Sequence, residues 1–284
     1  MRGFVETNHV RLHYLDHAGA GPTLILLPGL TANAHVFGGL LGAGLNGRFR
    51  VLAVDLRGRG QSEAPDGPYD VPTHAADVIG LMDALDIGEV IVGGHSFGGL
   101  ISYYLAANFP DRVTKCIAMD APAEVHVGIL EQIKPSLDRL GMVFPSWDEY
   151  LAQVKAVPYF DGWWDPAIEA YYRNDLRSNP DGTVQAISEP EHIQAAALAT
   201  LDIDWPETVR RIEQPTLLLR APDPLGSPEV GPIVTREVAE RTRGWIEDSS
   251  LVEVPGNHVT FIFGDSARRI VDEIEAFAAG LGER

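Results

Sequence analysis

Apolar residues fall into two alternating patterns along the chain. Short runs of aliphatic and β-branched side chains at "RLHYLDH" (11–17), "TLILLPG" (23–29), "FRVLAVD" (49–55), "EVIVGGH" (89–95) and "VTKCIAMD" (113–120) predict strands. Between them, "THAADVIGLMDALDI" (73–87) and "LISYYLAANF" (100–109) place apolar residues three and four apart, the spacing of an amphipathic helix, and Pro110 stops the second. Continuous apolar strands alternating with such helices imply a mostly parallel sheet covered on both faces.

The alternation breaks after Asp120. From Ala121 to about Gln214 the pattern is helical and rich in aromatics, with no convincing apolar strand. Strand-like "PTLLLRAP" (215–222) resumes it, followed by a helix near 232–243, the strand "SLVEVPG" (250–256) and a closing helix over about 266–279. The expected organisation is a core built from 1–120 and 215–284, interrupted by an inserted helical cap over 121–214.

Composition then narrows the partners. The 284 residues are 45% hydrophobic, enough for a large core. A net charge of −18 with no basic run opposes binding to nucleic acid or anionic lipid, so neither is expected as a partner. The first twenty residues lack an apolar signal region and no stretch of eighteen apolar residues follows, so the expectation is a soluble, cytoplasmic protein. Cys116 is the only cysteine and lies in "CIAM", which reads as a buried small hydrophobe. With no Cys cluster, H-x-H, H-E-x-x-H or dinucleotide-type glycine fingerprint, no metal and no cofactor is expected. Oligomeric state leaves no signature.

Chemistry concentrates in "VGGHSFGGLI" (92–101), where a G-x-S-x-G sequence stands between a predicted strand and a helix. In a nucleophile elbow, small flanking residues let strand and helix approach while the serine takes a strained conformation, and Gly94, Gly98 and Gly99 supply them for Ser96. A serine hydroxyl needs a base. Of nine histidines, His258 in "VEVPGNHVTFIF" follows the last strand, whose end a parallel sheet brings to the same edge as Ser96. His9, His13 and His17 read as surface or loop packing, His95 as a packing neighbour of the nucleophile, and His35 after "PGLTAN" as a candidate substrate contact. An oxyanion needs preset donors. The backbone N–H of Phe97 at a helix start and that of Leu30 after "TLILLPG" are the candidates.

With these motifs in place the sequence resembles the α/β-hydrolase superfamily over essentially its whole length. The resemblance rests on "GHSFGG", the "PG" loop, "DLRGRGQS" (55–62), "FPDRV" (109–113) and "VPGNH" (254–258), in the family's order. It implies an eight-stranded, mostly parallel sheet flanked by helices, a helical cap and a Ser–acid–His triad with Ser96 and His258 as nucleophile and base. Pro28 departs from members that carry histidine before the glycine. Asp55, Arg57, Gly58, Gly60 and Ser62 match a family turn of structural character.

Two aspartates compete for the acid. Asp223 follows the first strand after the insertion, the family's commonest position, but its loop is one residue short. Asp120, after the strand before the insertion, is similar to the acid of haloalkane-dehalogenase-like and zearalenone-lactonase-like members, and is preferred. A cap over the site would line it with apolar surface. Tyr159, Phe160, Trp163 and Trp164 are the candidate pocket residues, of which one or two are expected to face substrate and the rest to form the cap core. These aromatics, and few basic residues near the elbow, suggest a serine hydrolase of small to medium, largely uncharged esters or lactones. A perhydrolase or haloperoxidase, an amide or C–C bond hydrolase, and a receptor-like relative are the alternatives.

Overall fold

The structure, a computed structural model, describes residues 1–226 and 231–280. Its strands are β1 (Arg2–Thr7), β2 (Val10–His17), β3 (Thr23–Leu27), β4 (Arg50–Val54), β5 (Val90–His95), β6 (Val113–Met119), β7 (Val143–Phe144), β8 (Leu176–Ser178), β9 (Val184–Ala186), β10 (Thr216–Arg220) and β11 (Ser249–Glu253). Eight of them form one sheet in the order β1-β2-β4-β3-β5-β6-β10-β11. The pairs β1–β2 and β2–β4 are antiparallel and the rest parallel, as the sequence pattern implies.

Both faces of the sheet are covered, which is why its central strands carry unbroken apolar runs. Leu24, Leu26, Val51 and Ala53 pack on one face with Ile270 and Ile274 of the closing helix, Gly264–Ala278. Ile25, Leu27, Leu52 and Val54 pack on the other, with Val78 of helix Val71–Ala84 and Ile101 of helix Phe97–Asn108. Each such side chain stabilises the fold by roughly 1.5–3 kcal/mol. Asp70 caps the first of these helices by accepting from the Thr73 N–H at 2.8 Å.

Three features depart from the sequence reading. β1 goes unpredicted because this edge strand buries little on either side. Residues 121–214, expected to be purely helical, also contain a three-stranded antiparallel sheet, β7-β9-β8. Strands of two or three residues are too short to express a period of two. His13, read as surface or loop packing, is fully buried and bonds Asp55 through Nδ1 at 2.7 Å. Among the described residues no helix is long and apolar enough to cross a membrane, and Cys116 is buried.

Candidate active site

β5 ends at His95 and the helix begins at Phe97, leaving Ser96 alone in the turn with φ 54° and ψ −118°. Such a non-glycine conformation costs on the order of 1–3 kcal/mol, so its surroundings must hold it. The Ser96 N–H donates to the Met119 carbonyl at 2.9 Å, and the Ser96 carbonyl accepts from Gly99 and Leu100. The flanking glycines are required by space. A Cβ at Gly94 would lie 2.1 Å from the Gly98 carbonyl, and one at Gly98 would lie 2.0 Å from the Leu27 oxygen. The pentapeptide therefore sets how closely helix and strand pack.

The ends of three other strands converge here. Asp120 follows β6 with φ 49°. Its Oδ2 lies 2.7 Å from His258 Nδ1, and its Oδ1 accepts from the Ala221 N–H at 3.0 Å. Because the buried carboxylate accepts, Nδ1 carries the proton and Nε2 keeps its lone pair. Asp223 is elsewhere engaged. It is exposed, its Oδ2 accepts from the Gly256 N–H at 3.2 Å, and its own N–H donates to the Gly256 carbonyl. It ties the loop before His258 and makes no bond to the ring. No hydrogen bond joins Ser96 to His258, but both line one cavity.

The His258 loop is held from two sides. His95 Nε2 donates to the His258 carbonyl at 2.8 Å, and Asn257 Nδ2 donates to the Tyr159 carbonyl at 2.9 Å. Burial, with repulsion between the two neighbouring rings of His95 and His258 when both are protonated adding to it, holds the His95 pKa well below that of a free histidine, so the ring stays neutral.

The turn after β3 approaches Ser96, for a Cβ on Gly29 would lie 3.6 Å from the Ser96 Cβ. Neither the Leu30 nor the Phe97 N–H has an acceptor among the described residues. Arg59 supports this turn. Its Nε donates to the Leu30 carbonyl at 3.0 Å, its Nη1 to the Arg57 carbonyl, and its guanidinium lies 5.6 Å from the Phe97 ring centre. Fully buried and without a carboxylate partner among the described residues, Arg59 has its pKa pushed down to about 9, by burial first and then by Arg57. Asp55, the other acid near this turn, is occupied by His13 and by the Ala34 and Gln61 N–H groups.

The cavity has a volume of about 260 Å³. Of the residues foreseen for the site, Ser96, His258, Leu30 and Tyr159 line it. His35 instead borders a separate groove with His17 and Asn174. Phe160 is buried against Tyr159, Trp164 and Tyr172, Trp164 stacks on Tyr172, and Trp163 stands outside the lining. Of the four aromatics offered as pocket candidates, one or two of which were expected to reach the substrate, Tyr159 is on the lining, and sequence could not single it out because core and pocket aromatics look alike. Arg139 and Tyr150 line the cavity unforeseen, beside Tyr171 and Tyr172. Arg139 pairs with Asp175 at 2.5 Å, across 36 residues, a partnership that no local pattern reveals. A second hollow of about 50 Å³ also borders Ser96, between Leu30, Phe97, Leu100, Val125 and Ile133. Among the described residues no group of His, Cys, Asp and Glu is arranged to hold a metal ion.

Comparison with known proteins gives a consistent picture. The sequence pattern of a family described as alpha/beta hydrolase fold matches residues 22–265. A 2-(acetamidomethylene)succinate hydrolase of Mesorhizobium japonicum is 28% identical over 242 residues, 84% of this chain and 81% of that protein. A 3-oxoadipate enol-lactonase of Acinetobacter baylyi is 28% identical over 211 residues, 73% of this chain and 74% of that one. The crystal structure of an E-2-(acetamidomethylene)succinate hydrolase superposes with a TM-score of 0.85 at 24% identity, covering 98% of this chain and 99% of that one.

Proposed function

The chain belongs to the α/β-hydrolase fold family, and on that premise we propose that it is a serine hydrolase that cleaves small to medium esters or lactones through an acyl-enzyme. The observation that carries this reading is the buried Asp120–His258 bond at 2.7 Å on the same cavity as a strained Ser96. Ser96 Oγ attacks the substrate carbonyl while its proton passes to His258 Nε2. Asp120 keeps the ring in the tautomer that can accept that proton and stabilises the imidazolium. The Leu30 and Phe97 N–H groups take up the negative charge on the carbonyl oxygen. His258 then protonates the leaving oxygen, and a water deprotonated by the same ring resolves the acyl-enzyme. Asp120 is the acid in this scheme and Asp223 anchors a loop.

The relatives' names, one an enol-lactonase and one a hydrolase of an acetamidomethylene-succinate, support hydrolysis and leave both C–O and C–N bonds as targets. The first test is the initial rate on p-nitrophenyl esters of increasing acyl length and on the matching anilides, for the native protein and Ser96→Ala. Ester turnover that vanishes with Ser96 supports the reading. Equal activity of the two proteins would end it, and anilide turnover at comparable rates would move the assignment to amides.

A further inference from the structure

The lining around Ser96 is mostly apolar, with one concentrated set of donors centred on Arg139. The Arg139 side chain is only 14% exposed. Its Nη1 donates to Asp175 Oδ2 at 2.5 Å and to the Tyr150 hydroxyl at 2.8 Å. Nε and Nη2 have no acceptor among the described residues. The guanidinium lies 5.6 Å from the Tyr172 ring centre and 5.9 Å from that of Tyr150, within reach of a cation–π contact that adds to the hold of Asp175. Burial works against its charge, but Asp175 and the surrounding tyrosines together outweigh burial and hold its pKa well above the usual value.

A guanidinium binds a carboxylate best through two parallel N–H donors, and Nε with Nη2 forms one such edge. Asp175 and Tyr150 use only Nη1, which leaves that edge without an acceptor on a residue that lines the same cavity as Ser96. Since Asp175 balances the charge, recognition here comes from directed donors rather than from excess positive charge. Asp138, also on the lining, is largely exposed and paired with Lys134. The adjoining 50 Å³ hollow at Ser96 has room for a few heavy atoms and offers little besides carbon.

We propose that Arg139 is a specificity-determining residue that receives a carboxylate of the substrate, and that the adjoining hollow admits a short apolar group. The enzyme then selects esters or lactones whose longer half ends in a carboxylate. This revises the expectation of uncharged substrates, and it rests on the assignment of Ser96 as nucleophile.

The experiment pairs substrates that differ only at the far end. p-Nitrophenyl hydrogen glutarate is compared with p-nitrophenyl pentanoate, and 4-acetoxybutanoate with butyl acetate, so that the carboxylate is presented on either half. Glutarate is tested as a competitive inhibitor of the neutral esters. Removing one member of a buried pair strands the other, so the principal variant is Arg139→Gln/Asp175→Asn. In the native protein the carboxylate member of at least one pair has the higher kcat/KM, and glutarate competes. In the double variant that preference falls by about 10- to 100-fold and the inhibition weakens in step. If the double variant does not fold, Arg139→Lys decides, because an ammonium cannot form the two-pronged contact and its glutarate inhibition constant must rise. Neutral esters preferred in both pairs, or a preference unchanged by these substitutions, overturns the proposal. Ser96→Ala on the same substrates keeps the two ideas apart. Its inactivity preserves the serine reading whatever Arg139 does, and its activity removes that reading irrespective of glutarate binding.

Discussion

His258 Nδ1 and Asp120 Oδ2 lie 2.7 Å apart although 138 residues separate them. The contact assigns the two candidate acids different work. Asp120→Asn is expected to lower kcat by about 10³–10⁴, because an amide cannot hold the ring in the accepting tautomer. Asp223→Asn is expected to stay within about threefold, as a substitution on an exposed side chain. Steady-state kinetics of both variants on one ester decide it, and equal losses would contradict the assignment.

Arg59 holds Leu30 by its carbonyl at 3.0 Å and carries a buried charge with no carboxylate partner among the described residues. Arg59→Met is therefore expected to displace the turn and lower kcat about tenfold or more, while KM changes less. Arg59→Lys should recover part of the loss. A rise in KM alone, with kcat unchanged, would show that Arg59 does not support the oxyanion donors.

Gly98→Ala tests the packing of the elbow. Its Cβ would meet the Leu27 carbonyl oxygen at 2.0 Å, and that oxygen belongs to backbone that cannot turn aside. The variant is expected to lose at least about 3 kcal/mol of stability, measured by urea unfolding. Native-like stability would mean that helix and strand stand further apart.

Stability should fall in mild acid. Burial, with Arg59 and Arg57 adding to it for His74 and the neighbouring His258 ring for His95, holds both pKa values well below 6.5 in the folded chain. Unfolding frees both rings to protonate near pH 6.5, so below that pH the unfolded state binds more protons and gains. Each histidine then removes about 1.4 kcal/mol per pH unit, and neither contributes above about pH 7.5. Urea midpoints at pH 7.5, 6.5 and 5.5 measure the slope, which His74→Gln should reduce by one histidine's share. A flat profile would contradict the buried neutral rings.

The eight-stranded sheet was legible because most of its strands carry apolar runs long enough to register, and because Gly94, Ser96 and Gly98 mark where one of them turns. Parallel topology then brings the residues after β5, β6 and β11, namely Ser96, Asp120 and His258, to one edge. The inserted segment was far less legible. Its strands are two or three residues long, and Phe160 and Trp164 serve the same packing that a pocket would use. Arg139 and Asp175 meet only through the fold, so their pairing left no mark in either local sequence.

Covalent capture tests the central claim most directly. The protein is treated with a small p-nitrophenyl alkylphosphonate, and intact mass, peptide mapping and residual esterase activity are followed together. The account predicts a single adduct on Ser96, activity lost in proportion to labelling, and no adduct on Ser96→Ala. Full labelling at another residue, or esterase activity that survives complete modification of Ser96, would contradict it.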